Sequence, residues 1–161
     1  MLVDWLTALQ DLPWIVELRN SRWSYAVVNA CHIVGIALLF GAIVPLDLRL
    51  IGCWRSVPIR TLARILVPAA VTGLLVAISA GMLLFSIRAV QYAGTTLFQF
   101  KASLILCGVA NAFLLRNAKQ WEASTTAVDV IPPLRLRVAG VLSIGLWLAV
   151  IFCGRMLAFL N

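Results

Sequence analysis

The sequence predicts an all-α membrane protein, in which a bundle of four transmembrane helices follows an N-terminal amphipathic interfacial helix. Of the 161 residues, 63% are hydrophobic and 12% are charged, whereas a soluble domain has about 45–50% apolar and about 25% charged residues. The mean hydropathy is +1.02. Four apolar runs reach the length of about 20 residues that crosses the hydrocarbon core of a bilayer. Composition and run length together exclude an ordinary soluble enzyme and a disordered tail.

The first 20 residues precede the apolar runs and have a different pattern. Leu2, Leu6 and Leu9 recur at helical spacing among polar residues, and Pro13 interrupts the pattern. No basic stretch is followed by a cleavage site of small residues, so a signal peptide is not expected. We therefore expect residues 1–20 to form a helix in the membrane interface. An ordinary first helix packed on the bundle is the alternative.

Four membrane spans follow in a single domain, residues 1–161. Their predicted bounds are 24–44, 65–87, 97–115 and 136–160. His32 is the one interruption of the first span, the second has no charge, and the third carries Lys101 near its start. The connections are short, which favours a compact bundle of antiparallel neighbours.

The formal net charge of +7 comes from basic residues that lie between the apolar runs. This distribution indicates membrane-flanking charges, and nucleic acid is not expected as a partner. Eight basic residues fall on one side of the bundle: Arg49, Arg55, Arg60, Arg64, Arg116, Lys119, Arg135 and Arg137. Five fall on the other: Arg19, Arg22, Arg88, Lys101 and Arg155. The positive-inside rule places the richer side in the cytoplasm, with both termini outside and lipids as neighbours.

Small residues line one face of the second span. Ala69, Gly73, Ala77 and Gly81 succeed one another at i+4 spacing. Membrane helices associate through close backbone approach, so this stripe predicts a helix–helix contact. A stripe that faces lipid is the alternative.

The four cysteines are not expected to form disulfides. Three fall within predicted spans and Cys53 lies on the side expected to be reducing, so small apolar packing is the expected role. The sequence has no CxxC motif or Cys/His pair that would indicate a zinc site.

Polar residues inside the spans are few, and each needs a partner. Tyr25, Asn29 and His32 lie on one helical face of the first span. A second i+4 line on the third span consists of Ser103, Cys107 and Asn111. These two faces contain the candidate site residues.

His32 is the only histidine of the chain and the principal candidate. It could ligate haem or a copper ion, or titrate in a proton path. The alternative is a neutral imidazole hydrogen-bonded across the bundle to Asn111, Ser103 or a carbonyl. A haem held by two histidines within one chain is excluded, so the second ligand would be Met82, another methionine or a partner subunit, or there would be none.

Three further charged residues have alternative interpretations. Lys101 could extend to the outer interface, or hold an anionic headgroup, a haem propionate or a quinone carbonyl. For Asp47 and Arg49, an ion pair or anchoring at the inner leaflet is expected.

Enzyme motifs are lacking in this sequence. It contains no GxxxxGK, HExxH, GxSxG or GxGxxG pattern. Paired carboxylates are missing from every span, so a carboxylate-driven proton pump is not favoured.

Three stretches resemble a family of small four-helix bacterial inner-membrane proteins: residues 29–52, 66–92 and 97–113. A more distant resemblance links HxxG at His32, the Thr72-Gly73 stretch and FxxK at Lys101 to two other groups. These are the membrane domain of copper-resistance D proteins and the HemJ-type protoporphyrinogen oxidases. The resemblance implies a bacterial inner membrane, with both termini periplasmic, and matches His32 and Lys101 to the histidine and lysine of those groups.

The further histidine that often follows the third-helix asparagine in those groups has no counterpart here, because Arg116 and its neighbours stand in its place. The oxidase activity is therefore not transferred.

The leading hypothesis is a non-catalytic membrane subunit or small redox module that binds haem b or a quinone. His32 would ligate or hydrogen-bond the cofactor, Asn29 and Tyr25 would orient the ring, and Lys101 would pair an acidic group, with Asn111 also facing the site. Such a module would serve a periplasmic redox or metal-handling system, alone, as a homo-oligomer or within a larger membrane complex. One alternative is a small transport or channel protein, for which copper is a candidate substrate. Another is a structural or assembly subunit of a larger membrane complex.

Overall fold

A computed structural model describes residues 1–116 and 131–160 of the protein. Over these residues the chain forms helices and no strand. Their bounds are α1 Leu2–Gln10, α2 Pro13–Asn20, α3 Arg22–Ile51, α4 Ile59–Ile87, α5 Ala89–Ala93, α6 Thr96–Arg116 and α7 Leu134–Leu160. Four of them, α3, α4, α6 and α7, are long and apolar enough to cross a membrane. The prediction of an all-α bundle with four membrane spans is confirmed. Lys119, one of the eight basic residues counted above, lies outside the described residues.

Two of the long helices extend beyond the predicted spans at the same end of the bundle. α3 continues through Pro45 to Ile51, and α4 begins at Ile59, directly after Pro58. The predicted spans stopped where charged residues begin, but a charge does not end a helix. Here α3 continues to a C-cap at Gly52, and Asp47 and Arg49 within this extension are buried.

The long helices pack as antiparallel neighbours in the order α4, α3, α7, α6. The ends of the bundle differ. We call the end that carries α1, α2 and α5 the terminal end, and the end with the α3–α4 connection (residues 52–58) the loop end. All four long helices contribute to a central apolar cluster around Leu39, Trp147 and Val150.

The closest contact in the bundle is the crossing of α3 and α4. A Cβ atom built on Gly35 would lie 2.5 Å from the backbone nitrogen of Ala77, and one on Gly73 would lie 2.5 Å from that of Leu39. Such close approach is possible only because both positions lack a side chain. The small-residue stripe of α4 thus packs against α3, as predicted.

α6 and α7 are joined by one large side chain and one amide. The Trp147 indole lies against Gly108, where a Cβ would be 3.1 Å from the ring. Toward the loop end, the side chain of Asn111 donates a hydrogen bond to the carbonyl oxygen of Ala139 at 3.1 Å. An interhelical bond of this kind satisfies a polar group that lipid would leave without a partner.

The N-terminal segment forms two short helices rather than one. α1 contacts α5 and α4, and α2 contacts α3 and α4. Ile15 of α2 is fully buried in this contact. Gln10 also donates to the carbonyl oxygen of Ile87 at 3.4 Å. Trp5 and Trp14 remain exposed. The segment is thus packed on the terminal end, and it also presents the exposed aromatic residues that favour a membrane interface.

Arg49 closes the connection between α3 and α4. Its side chain is 0% exposed and donates from Nε to the carbonyl oxygen of Val57 at 2.6 Å and from Nη2 to that of Arg55 at 3.1 Å. No carboxylate of the described residues lies within ion-pair distance of it. The expected ion pair with Asp47 is therefore wrong, because residues two apart on a helix do not face each other.

Asp47 instead faces α7. Its carboxylate accepts a hydrogen bond from Ser143, is only 4% exposed, and its Oδ2 atom has no partner among the described residues. Its backbone is also close to α7, since a Cβ on Gly140 would lie 3.0 Å from the Asp47 carbonyl oxygen.

Replacement of Asp47 by asparagine is expected to preserve or raise stability. The amide oxygen still accepts from Ser143, and a neutral amide costs less to bury than a charged carboxylate. Thermal unfolding in detergent near neutral pH measures the effect, with Ser143→Ala as the companion variant. A Tm well below that of the wild type in Asp47→Asn would show that the charge itself stabilises the fold.

Candidate functional site

His32 lies on α3 and packs against a glycine of α4. Its Nδ1 atom is 2.7 Å from the carbonyl oxygen of Ala77. The ring rests on Gly81, where a Cβ would be 3.0 Å from Cε1. Of the expected interhelical partners, Asn111, Ser103 or a carbonyl, the structure has the carbonyl.

The Ala77 bond determines the tautomer of His32. Because a carbonyl oxygen only accepts, Nδ1 carries the proton and Nε2 carries the lone pair. No residue in the described part of the chain forms a hydrogen bond with Nε2. This is the arrangement in which a histidine is oriented by one nitrogen and binds a ligand through the other.

Lys101 lies on α6 and packs on a glycine of α7. A Cβ on Gly154 would lie 3.3 Å from Nζ and 3.6 Å from Cε of the lysine. The side chain is half-buried. Within residues 1–116 and 131–160, no hydrogen-bond acceptor or carboxylate binds the ammonium group.

His32 and Lys101 both lie in the half of the bundle near the terminal end, on different helix pairs. α3 and α4 form one antiparallel pair and α6 and α7 the other, and in each pair the polar side chain of the first helix rests on a glycine of the second. The structure thus places a half-buried imidazole and a half-buried ammonium group in the terminal half of the bundle, each on a glycine of its neighbouring helix.

The other predicted site residues do not join this pair. Asn111 follows Lys101 by ten residues, which is about 15 Å along a helix, and its amide is bonded to Ala139. Tyr25 is exposed, and Asn29 is half-buried without a hydrogen bond to His32. Of the five predicted residues, only His32 and Lys101 rest on a glycine of a neighbouring helix.

The second polar face does not line an internal path. Ser103 and Cys107 are both exposed, and the Ser103 hydroxyl donates to the Gln99 carbonyl oxygen of its own helix at 3.0 Å. No cysteine in the described ranges is paired, and only Cys153 is buried. These positions give no support to a polar channel between α3 and α6.

A metal site is not assembled around His32 from the described residues. No group of three or more His, Cys, Asp and Glu side chains in this part of the chain could hold a metal ion. Met82, the expected second haem ligand, is 65% exposed. His32 is consequently not part of a group of three or more metal-ligating side chains within the described residues.

Sequence reasoning identified His32 and Lys101 but missed the partners that position them. Gly81 was assigned to helix packing, and Gly154 was not singled out. A signal was present: each glycine lies in an apolar span at the depth of the polar residue. Pairing them required the register between neighbouring helices, which no local pattern contains.

No known protein family, characterised protein or solved structure matches this chain.

Proposed function

We propose that this integral membrane protein is a small redox subunit that binds a quinone headgroup between His32 and Lys101. The observation that carries the proposal is the pair of nitrogens, His32 Nε2 and Lys101 Nζ, that lie in the terminal half of the bundle and have no hydrogen-bond partner among the described residues. Ionisable residues within membrane spans are costly and mark functional sites.

The two nitrogens suit the two oxygens of a quinone. Lys101 donates to a carbonyl oxygen, and His32 Nε2 accepts from the hydroxyl of the reduced form. The Ala77 carbonyl holds the imidazole so that Nε2 is the nitrogen left to accept a hydrogen bond or a proton. A bound quinone would supply two-electron, two-proton chemistry, while the chain supplies orientation and a proton acceptor.

Haem b fits the same residues less well. His32 could provide one axial ligand and Lys101 a partner for a propionate. The described residues offer no second axial ligand here, because the Met82 side chain is exposed. A haem held here would have an open position, or a ligand from a second copy or another subunit.

The orientation of the bundle in the membrane determines which compartment the proposed quinone site faces. The terminal end contains His32 and Lys101, and it is the end with the smaller number of basic residues. By the positive-inside rule, this end faces the periplasm of a bacterial inner membrane. The quinone would then exchange electrons with a periplasmic redox or metal-handling partner.

Quinone binding by purified protein tests the proposal. Quinone is extracted and quantified from the wild type, and the affinity for a short-chain quinone is measured by quenching of tryptophan fluorescence. In both His32→Ala and Lys101→Met, we expect the affinity to fall about tenfold, the effect of one lost charge-assisted or neutral hydrogen bond of about 1.4 kcal/mol.

Matched controls lie beside each residue. Cys31→Ser on α3 and Ser103→Ala on α6 alter exposed polar positions and should leave the affinity unchanged. A reduced-minus-oxidised visible spectrum is recorded for every variant. A haem band that is present in the wild type and absent in His32→Ala would show that the cofactor is haem and not a quinone. If the wild type contains neither and does not bind quinone, while His32→Ala lowers Tm, then His32 is structural and the chain is an assembly subunit.

A further inference from the structure

A shallow apolar groove lies at the loop end, between the C-terminus of α3 and the first turns of α7. Its volume is about 410 Å³. The lining residues are Ile51, Leu134, Arg137, Val138, Val141 and Leu142. All but one are aliphatic, and the four aliphatic residues from α7 are exposed. In a protein that crosses a membrane, a groove of this lining faces lipid chains.

Two guanidinium groups are bonded to the C-terminal end of α3, and one of them, Arg137, lines the groove. Arg137, which lines it, donates from Nε to the carbonyl oxygen of Ile51 at 3.2 Å. Arg55 donates from Nε to the carbonyl oxygen of the next residue, Gly52, at 3.3 Å. The two bonds anchor both side chains at the C-terminus of α3.

The anchoring through Nε leaves the terminal nitrogens of both side chains available to a ligand. No carboxylate within residues 1–116 and 131–160 forms an ion pair with Arg137 or Arg55. Terminal guanidinium nitrogens bind phosphate oxygens in a planar, bidentate geometry. Two such groups beside an aliphatic groove combine a phosphate site with a chain site.

We propose that this groove binds an anionic phospholipid, with an acyl chain along α7 and the phosphate on Arg137 and Arg55. Charge complementarity selects an anionic headgroup over a zwitterionic one. Basic pockets between membrane helices on the cytoplasmic side are typical sites for such lipids. The occupant contacts both α3 and α7 and therefore links the two central helices at the loop end. The site is at the opposite end of the bundle from His32 and does not depend on quinone binding.

Other basic residues at this end provide the contrast. Arg60 and Arg64 are exposed on α4, and within the described residues neither side chain is hydrogen-bonded to the C-terminal end of α3 as Arg137 and Arg55 are. They can attract anionic lipid only as diffuse surface charge. A specific site therefore predicts unequal effects from residues of equal charge.

Native mass spectrometry of the full chain in detergent tests the proposal. Phosphatidylglycerol and phosphatidylcholine with identical acyl chains are the two probes. We expect the wild type to retain phosphatidylglycerol preferentially. Retention should fall about fivefold in Arg137→Gln and in Arg55→Gln, the effect of one basic residue near the membrane surface. Arg64→Gln, the matched control, should retain the lipid as the wild type does.

Two further measurements separate the chain site from the phosphate site. Leu142→Trp fills the groove without changing charge and should also reduce retention, whereas inorganic phosphate should not compete with the lipid. Equal losses in Arg64→Gln and Arg137→Gln, or no preference of the wild type for phosphatidylglycerol, would overturn the proposal. Thermal unfolding of each variant in phosphatidylcholine alone checks that the fold is intact. Arg137→Lys keeps the charge but lacks the planar guanidinium, so it should retain an amount of phosphatidylglycerol between those of the wild type and Arg137→Gln.

Discussion

Replacing Gly73 or Gly35 with alanine is expected to lower the stability of the protein by about 1–3 kcal/mol, the usual cost of forcing extra atoms into a packed contact. In both variants the new methyl group would lie 2.5 Å from a backbone nitrogen of the facing helix. A backbone atom cannot move aside as the end of a flexible side chain can. α3 and α4 must therefore separate along their crossing.

Thermal unfolding of the two variants in detergent measures this effect, and Gly41→Ala is the matched control. Gly41 also lies on α3, but a Cβ there meets no atom within 4 Å, so its replacement should leave Tm unchanged or raise it slightly. The double variant of Gly35 and Gly73 should cost less than the sum of the single variants, because the helices separate only once. A Tm equal to that of the wild type in Gly73→Ala would contradict the close crossing.

Arg49→Ala is expected to destabilise the protein by about 3 kcal/mol, the loss of two hydrogen bonds from a charged donor. The bonds to Val57 and Arg55 hold the connection in which Trp54 adopts a left-handed conformation with φ of 47°. This conformation is unfavourable for a residue with a side chain, so it requires support from its surroundings. Without the guanidinium, the connection should open.

Limited trypsin digestion and thermal unfolding together test the role of Arg49. Cleavage after Arg55 should accelerate in Arg49→Ala, along with a lower Tm. Arg49→Met retains much of the apolar stem and isolates the loss of the hydrogen bonds. Arg60→Ala removes an exposed arginine from the same end of the bundle and should change neither measurement. Unchanged digestion in Arg49→Met would show that packing of the stem, not the two bonds, holds the connection.

The bundle thus separates its polar groups by depth. His32 and Lys101 lie near the terminal end, each on a glycine, and the groups of Arg49 and Asp47 lie at the loop end. Between them the central cluster is apolar. This separation means that changes at the loop end should alter stability and the proposed lipid binding without altering the proposed quinone site.

The candidate site could be predicted only in part. His32 and Lys101 were identifiable because a polar residue in an apolar span is rare and needs a partner. Asn111 was grouped with them because it shares a helical line with Ser103, yet its amide bonds to Ala139 on α7. The i+4 pattern states which residues share one helix face, but it contains no information about the helix that faces them.

By itself the sequence determined the four spans, the amphipathic start and the small-residue contact of α4. These follow from local quantities: the length of an apolar run, the spacing of side chains on one helix, and the space that a missing side chain leaves. Only the tertiary structure decided that Ala77 is the partner of His32, that Lys101 rests on Gly154, and that Arg49 binds the connection rather than Asp47. The reason is geometric, because the register and order of packed helices depend on all their surfaces at once.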